Sequence, residues 1–325
     1  MRALLHFRSR TCRAKALRVI LASWLLALPA AAGTAPVVRS VAEFGVKGEG
    51  ASVETALLQG AIDACAAGGG CVLTFPAGRY VSGTLYLRDN LTLRLDPGAV
   101  LATSGRADET TIRNPGSKLV SLVLLENATN VRVSGVRFLR SPAWTITLRV
   151  VDGAWIENVL IDNAMLAPHT SGLVIDSSTR VSVRGLHFRG GGDGITLQTS
   201  LVDGIAPPCS EITIADSTLR SGSMAMKIGT ATHGDIRNVT VNGVVVELSQ
   251  GGIGVFVRDG GTVENLQFSS LMLETAAVRR GRAEWPIVLD VKRRSEGGKA
   301  GQVRGVRFSN TQVKSSGKLL FSGIA

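Results

Sequence analysis

With 325 residues, 45% of them hydrophobic, and a formal charge of +11, the chain is long enough for one large domain and basic enough to raise the question of a nucleic-acid partner. The charge is unevenly placed: residues 1–32 hold Arg2, Arg8, Arg10, Arg13, Lys15 and Arg18 and no acid, which leaves 30 basic and 25 acidic side chains, a net of +5, in residues 33–325. That remainder weakens a nucleic-acid reading drawn from charge, so no nucleic-acid partner is expected, and it suits an anionic partner without demanding one.

The first predicted element is an export signal over residues 1–32. A basic leader precedes the apolar run VILASWLLALPAAA (19–32), and Ala30-Ala31-Ala32 offers a small-residue cleavage site. The run is shorter than the roughly 20 residues a membrane span needs. The expectation is a secreted or periplasmic protein, free of the membrane after cleavage, with one domain over residues 33–325. Export permits disulfides. Cys12 leaves with the signal, and Cys65 and Cys71 flank AAGGG, where they either bridge or stay as buried thiols. Cys209 is left over. No Cys/His pair has zinc-site spacing, so neither a metal nor a cofactor is expected.

Next, EFGVKGEGASVETALLQGAIDACAAGGG (43–70) predicts one amphipathic helix, with Ala56, Leu57, Ala61, Ile62 and Ala64 at helical spacing. A helix there caps the first coil of whatever follows. Residues 71–104 alternate with period two between PAG, RDN and DPG breaks and predict several short strands. Seven segments then repeat one phrase: VRVSGVRF (131–138), WIENVLIDN (155–163), VSVRGLHF (181–188), EITIADSTL (211–219), IRNVTVNGVVV (236–246), VENLQFSSLML (263–273) and VRGVRFSN (303–310). Most recur every roughly 25 residues, the period of stacked-coil solenoids. One coil cannot bury its apolar side alone, whereas a stack buries a continuous core and exposes a long groove. The fold class predicted is all-β, a single-stranded right-handed parallel β-helix with an N-terminal capping helix. Asn130, Asn158, Asn238, Asn265 and Asn310 fall at like places and suggest an asparagine ladder. The looser RRGRAEWP (279–286) reads as a groove lip or a long corner. The sequence closes at SGIA soon after a coil with no terminal cap in view, so either another chain covers that end or the frame is shortened.

The opening box EFGVKGEG…AIDACAAGGGCVLTFPAGRYVSGTLYLRDNLTLRLDPGAVL resembles the start of glycoside hydrolase family 28, the polygalacturonase-like pectin hydrolases. SPAW (141–144), APHTSGLVIDSS (167–178), GGGDGITLQTS (190–200) and GDIRNVTV (234–241) continue the resemblance in family order, over roughly residues 41–315. The resemblance implies a pectin-lyase-like solenoid and hydrolysis of an acidic polysaccharide. The family's catalytic pattern is largely replaced. Its Asn-Thr-Asp stands as His169-Thr170-Ser171, and its Asp-Asp as Gly192-Asp193. Its Gly-His-Gly falls on Met224 and neighbours, and its Arg-Ile-Lys on Gly254-Val255-Phe256.

Alternation assigns faces independently of the family. Ile195, Leu197, Met224, Met226, Ile228, Ile253, Val255 and Val257 are expected inward. Asp176, Gln198, Lys227, Phe256, Arg258, Asp290 and Lys292 are expected outward. Stacking then yields a column of Asp176, Gln198, Lys227, Arg258 and Asp290 or Lys292, with Lys227 and Arg258 as adjacent cations. Such a pair clamps a sugar carboxylate or is satisfied by Asp176 and Asp259. Phe256 and Trp285 can stack on sugar rings. Asp193 is the candidate general acid or base, turned from the core by its flanking glycines, or a turn-forming Asp bonded to local backbone. Hydrolysis needs two carboxylates, and Asp176 and Asp259 are the candidate partners, with His169 as a proton shuttle. Three functions follow: a hydrolase of an acidic polysaccharide, a lyase of the same architecture, or a non-catalytic carbohydrate-binding β-helix. A monomer is expected, with an anionic polysaccharide as its partner.

Overall fold

The period-two segments stack as parallel strands rather than folding back as hairpins. The computed structural model describes residues 36–103 and 121–324, so the expected export signal lies outside the described residues. Two parallel sheets run the length of the stack. One has 16 strands and contains all seven repeat segments; the other has nine, from Leu85–Leu87 through Ser121–Glu126, Trp144–Arg149, Leu173–Asp176, Ile195–Thr199, Met224–Thr232, Gly251–Val257 and Trp285–Val291 to Leu320–Ser322. The predicted parallel β-helix is the fold.

Register makes the core. Val131, Ala154, Val181, Ile212, Val239 and Leu266 lie in line on successive coils, each at most 1% exposed. Phe138, Ile161, Phe188, Leu219, Val246 and Leu273 form a parallel line. Burial of such side chains contributes ~1.5–3 kcal/mol each. The nine-stranded sheet closes the core with Ile146, Leu173, Ile195, Met226 and Ile253, all fully buried.

The first sheet bends because two rows of residues adopt left-handed backbone. Asn130, Gly153, Arg180, Glu211, Asn238, Asn265 and Gly305 form one row, in register from coil to coil. Gly135, Asn158, Gly185, Asp216, Gly243, Ser270 and Asn310 form the other. Their φ values run from 46° to 80°, a region that favours Gly and Asn. The five asparagines therefore do not make one ladder. Asn130, Asn238 and Asn265 belong to the first row and Asn158 and Asn310 to the second; one direct amide contact, Asn265 Nδ2 to Asn238 Oδ1 at 2.8 Å, joins neighbours.

The predicted helix is Thr55–Ala67, and it covers the first coils. Its buried stripe is Leu58, Ala61, Ile62 and Cys65, so Ala61 and Ile62 face the core as expected while Ala56 and Leu57 do not; Leu57 is 44% exposed. Spacing of i, i+3, i+4 and i+7 sets that stripe. Cys65 and Cys71 form a disulfide that ties the helix end to the strand Cys71–Phe75, and Cys209 is a buried free thiol. Burial pushes that thiol up to about 12, so it stays protonated. Among the described residues, no helix is long and apolar enough to cross a membrane.

Candidate active site

The outer face of the nine-stranded sheet carries two cavities. The first, of about 430 Å³, lies at the strand starts and is lined by His169, Ser171, Asp193, Ser223, Met224, Lys227, Gln250, Phe256, Arg279, Arg282 and Trp285, among others. The second, of about 500 Å³, is lined by Tyr86, Glu126, Trp144, Thr147, Arg149, Asp176, Gln198 and Ser200, among others.

Asp193 sits at the corner that feeds Ile195–Thr199. Neighbouring backbone crowds that corner: a Cβ on Gly191 would meet Ala167 O at 2.1 Å, and one on Gly194 would meet Ala225 O at 2.4 Å. Only glycine lets the coils approach this closely. The tight corner turns the Asp193 carboxylate out of the core and into the cavity. There it accepts the Met224 N–H at 3.1 Å and pairs with Lys227 Nζ. Burial raises the Asp193 pKa, but the attraction and hydrogen bond of Lys227 outweigh it and hold the carboxyl below its ordinary value. Asp193 is therefore ionised at neutral pH. Such a group suits the role of a base toward water better than that of a proton donor.

Lys227 is in register with Thr196 and Gly254 on the flanking coils. Arg258 lies four positions further along, so the two cations are not adjacent; the offset is ~13 Å at the rise of a strand. The column breaks at Lys227 itself: Gln198 is in register with Asp176, but Lys227 pairs with Thr196, two positions before Gln198. Each cation instead has its own carboxylate. Arg258 donates to Asp290 Oδ2 at 2.5 Å and to Asp290 O at 2.6 Å, and Lys292 Nζ stands 3.2 Å from Asp290 Oδ1. Burial raises the Asp290 pKa, yet Lys292 and Arg258 hold it below the ordinary value. Arg258 also lies 5.7 Å from the centre of the Phe256 ring.

The two carboxylates expected to partner Asp193 are elsewhere. Asp176 faces the second cavity and accepts from Gln198 Nε2 at 2.9 Å, Ser200 N at 2.8 Å, Ser200 Oγ at 2.7 Å and Ser177 Oγ at 3.0 Å. Asp259 is held by Arg294 at 2.5 and 2.8 Å and by the Thr232 N–H at 3.0 Å. Arg294 is the leading cause of its lowered pKa. Of the predicted residues, the first cavity gathers Asp193, His169, Lys227, Phe256 and Trp285; Gln198, Asp176, Asp259, Arg258 and Lys292 are not among its lining residues. Met224, expected inward, lies on the cavity floor against Gly251 and Gly254, and Ala225 takes its place in the core.

The far wall of the cavity was foreshadowed only as a groove lip. Gln250 pins it: its Nε2 donates to Arg282 O at 3.2 Å and Ala283 O at 2.9 Å, and its Oε1 accepts the Arg279 N–H at 2.7 Å. Arg279 Nη2 donates to Gly191 O at 2.6 Å, which spans the cavity's edge. Glu284 anchors the other end, accepting from Ser315 Oγ at 2.6 Å, Thr275 Oγ1 at 2.7 Å and Ser316 Oγ at 2.9 Å. Those hydroxyls, Ser315 foremost, lower Glu284 to about 2. A depressed carboxylate stabilises the fold above its unfolded value of ~4.3 and loses that contribution as pH falls toward its folded value. Glu284→Gln is expected to lower the melting temperature at pH 7, with the gap from wild type closing between pH 5 and about 2. Thermal melts across that range test this; a gap independent of pH would refute it.

With Asp193 and Lys227 cancelling, Arg279 and Arg282 give the first cavity a surplus of positive charge beside the Trp285 and Phe256 rings. The fold and the site together define a parallel β-helix protein with a cationic, aromatic-lined cavity on its outer sheet face. The particular family follows from its sequence profile: residues 38–253 match "Rhamnogalacturonase A/epimerase, pectate lyase-like", and the chain belongs to that family. The family 28 exopolygalacturonase of Yersinia enterocolitica shares the fold at a TM-score of 0.70 and 18% identity, over 89% of this chain and 68% of that one. An exo-poly-α-D-galacturonosidase of Dickeya chrysanthemi is 40% identical over 72 residues, 22% of this chain. A probable polygalacturonase of Vitis vinifera is 23% identical over 73% of this chain. The chain spans 12% and 60% of the lengths of these two curated relatives.

Proposed function

We propose that the protein is an exported glycoside hydrolase that acts on an acidic, pectin-type polysaccharide in the first cavity. The observation that carries this reading is the meeting of an ionised Asp193 with uncompensated arginines and two aromatic rings in one cavity at the groove floor. Arg279 and Arg282 bind a uronate carboxylate, Trp285 and Phe256 pack on the sugar ring, and Lys227 orients Asp193. Asp193 takes a proton from the attacking water, and His169, which lines the same cavity, donates one to the leaving oxygen. The polygalacturonase names of the relatives support the substrate class. The Cys65–Cys71 disulfide supports an oxidising compartment.

One observation favours a second reading, carbohydrate binding without turnover. Among the described residues, Asp193 is the one carboxylate lining the cavity, whereas glycoside hydrolysis ordinarily uses two. Incubation with pectic and other acidic glycans separates the readings. New reducing ends without ultraviolet-absorbing product are expected. Absorbing, unsaturated ends would make the protein a lyase, and binding without new ends would make it a lectin-like module.

A further inference from the structure

The second cavity lies on the same sheet face but has the opposite electrostatic character. Glu126, Arg149, Asp176 and Gln198 stand in register on four successive coils. Two carboxylates thus flank a single cation, Arg149, whose Nη1 is 3.4 Å from Glu126 Oε1. A uronate entering here meets a surplus of negative charge. Asp176 is saturated by its four donors and acts through them: it holds the Gln198 amide nitrogen at 2.9 Å, so the Gln198 amide oxygen is left as an acceptor without a protein partner among the described residues. The polar wall is therefore rich in acceptors. Acceptors receive hydroxyl protons and repel carboxylates.

Two aromatic residues also line the cavity. Tyr86 is 45% exposed, and its backbone is fixed on both sides by Gln59, with Tyr86 N to Gln59 Oε1 at 2.9 Å and Gln59 Nε2 to Tyr86 O at 3.0 Å. Trp144 shares the cavity. Exposed aromatic surface on a fixed backbone beside a row of acceptors suits a pyranose, with its apolar face on a ring and its hydroxyls on the acceptors. We infer that the second cavity is a subsite for an uncharged sugar, distinct in ligand charge from the first cavity. The inference rests on the reading of this sheet face as a glycan groove, but it does not depend on catalysis in the first cavity.

Calorimetric titration of the full chain tests it. The probes are neutral oligosaccharides of galactose, arabinose, xylose and rhamnose, with oligogalacturonate as the acidic counterpart. At least one neutral probe is expected to bind, and Tyr86→Ala and Glu126→Gln are each expected to weaken it tenfold or more. Both positions are partly exposed, so the fold survives. Arg282→Ala, in the first cavity, is expected to leave neutral-sugar binding unchanged while weakening oligogalacturonate. The inference falls if no neutral probe binds, or if binding ignores Tyr86→Ala or Glu126→Gln. Loss of oligogalacturonate binding or cleavage with neutral binding intact would count against the first cavity's role alone.

Discussion

Lys227→Met is expected to destabilise the protein at neutral pH by up to about 3–5 kcal/mol, the upper end being the cost of stranding one partner of a fully buried ion pair where this one is partly buried. It is also expected to reverse the pH dependence that Asp193 imposes. In the wild type, Lys227 holds the Asp193 carboxyl below its ordinary value. Its contribution is therefore present above the unfolded value of ~3.9 and lost as pH falls through the folded one. Without the ammonium, burial dominates and the folded pKa lies above the unfolded one. The stability of the variant is then complete below pH ~3.9 and lost as pH rises through the new folded value. Melting temperatures from pH 3 to 8 should show the variant gaining on the wild type with acidification. A uniform deficit at every pH would mean that Lys227 contributes packing alone. Methionine preserves the stem that lies along the floor beside Gly254, so lost volume does not confuse the result.

Asp193→Asn is expected to leave substrate binding intact or tighter and to lower kcat by roughly 10²–10⁴-fold, the range for loss of a general acid or base. Tighter binding is expected because Lys227, no longer neutralised by its carboxylate, adds a free cation to the arginines of the cavity. A fall in KM alongside the fall in kcat is therefore the signature to look for in steady-state kinetics on a pectic substrate. Full turnover by the variant would remove Asp193 from the chemistry. Equal losses of binding and turnover would make it a structural clamp on Lys227.

The periodic part of this architecture is written openly in the sequence. Val131 with Val133 and Val136 with Phe138 each alternate as buried strand residues must, on either side of Gly135, and later coils repeat the pattern. The groove is less legible because its walls are aperiodic. Face assignment worked for Ile195 and Leu197 but failed for Met224, since the corner at Ser221–Ser223 resets the alternation before the strand begins. It failed again at the column of cations, where Lys227 pairs with Thr196 rather than Gln198 and Arg258 lies four positions beyond Gly254, the partner of Lys227 on the next coil. Arg279 and Arg282 carry no spacing signal at all. Their place depends on Gln250 and Glu284, two side chains most of whose partners are 29 to 33 residues away in sequence and touch only after the coils stack.

The two rows of left-handed residues have a consequence for how this molecule tolerates change in length. Each residue of the second row follows its counterpart by five positions, from Asn130 and Gly135 to Gly305 and Asn310. The path from the second row to the next coil's first row is elastic: Asn158 to Arg180 is short, and Ser270 to Gly305 is long. One edge of the solenoid is thus a fixed ruler, where a single inserted residue would swap inward and outward faces. The opposite edge accepts added chain without disturbing the ruler, and it carries every wall of the first cavity. The shape of that cavity can accordingly be rewritten by insertion and deletion in the corners between strands as well as by substitution, while the ruler strands stay in register.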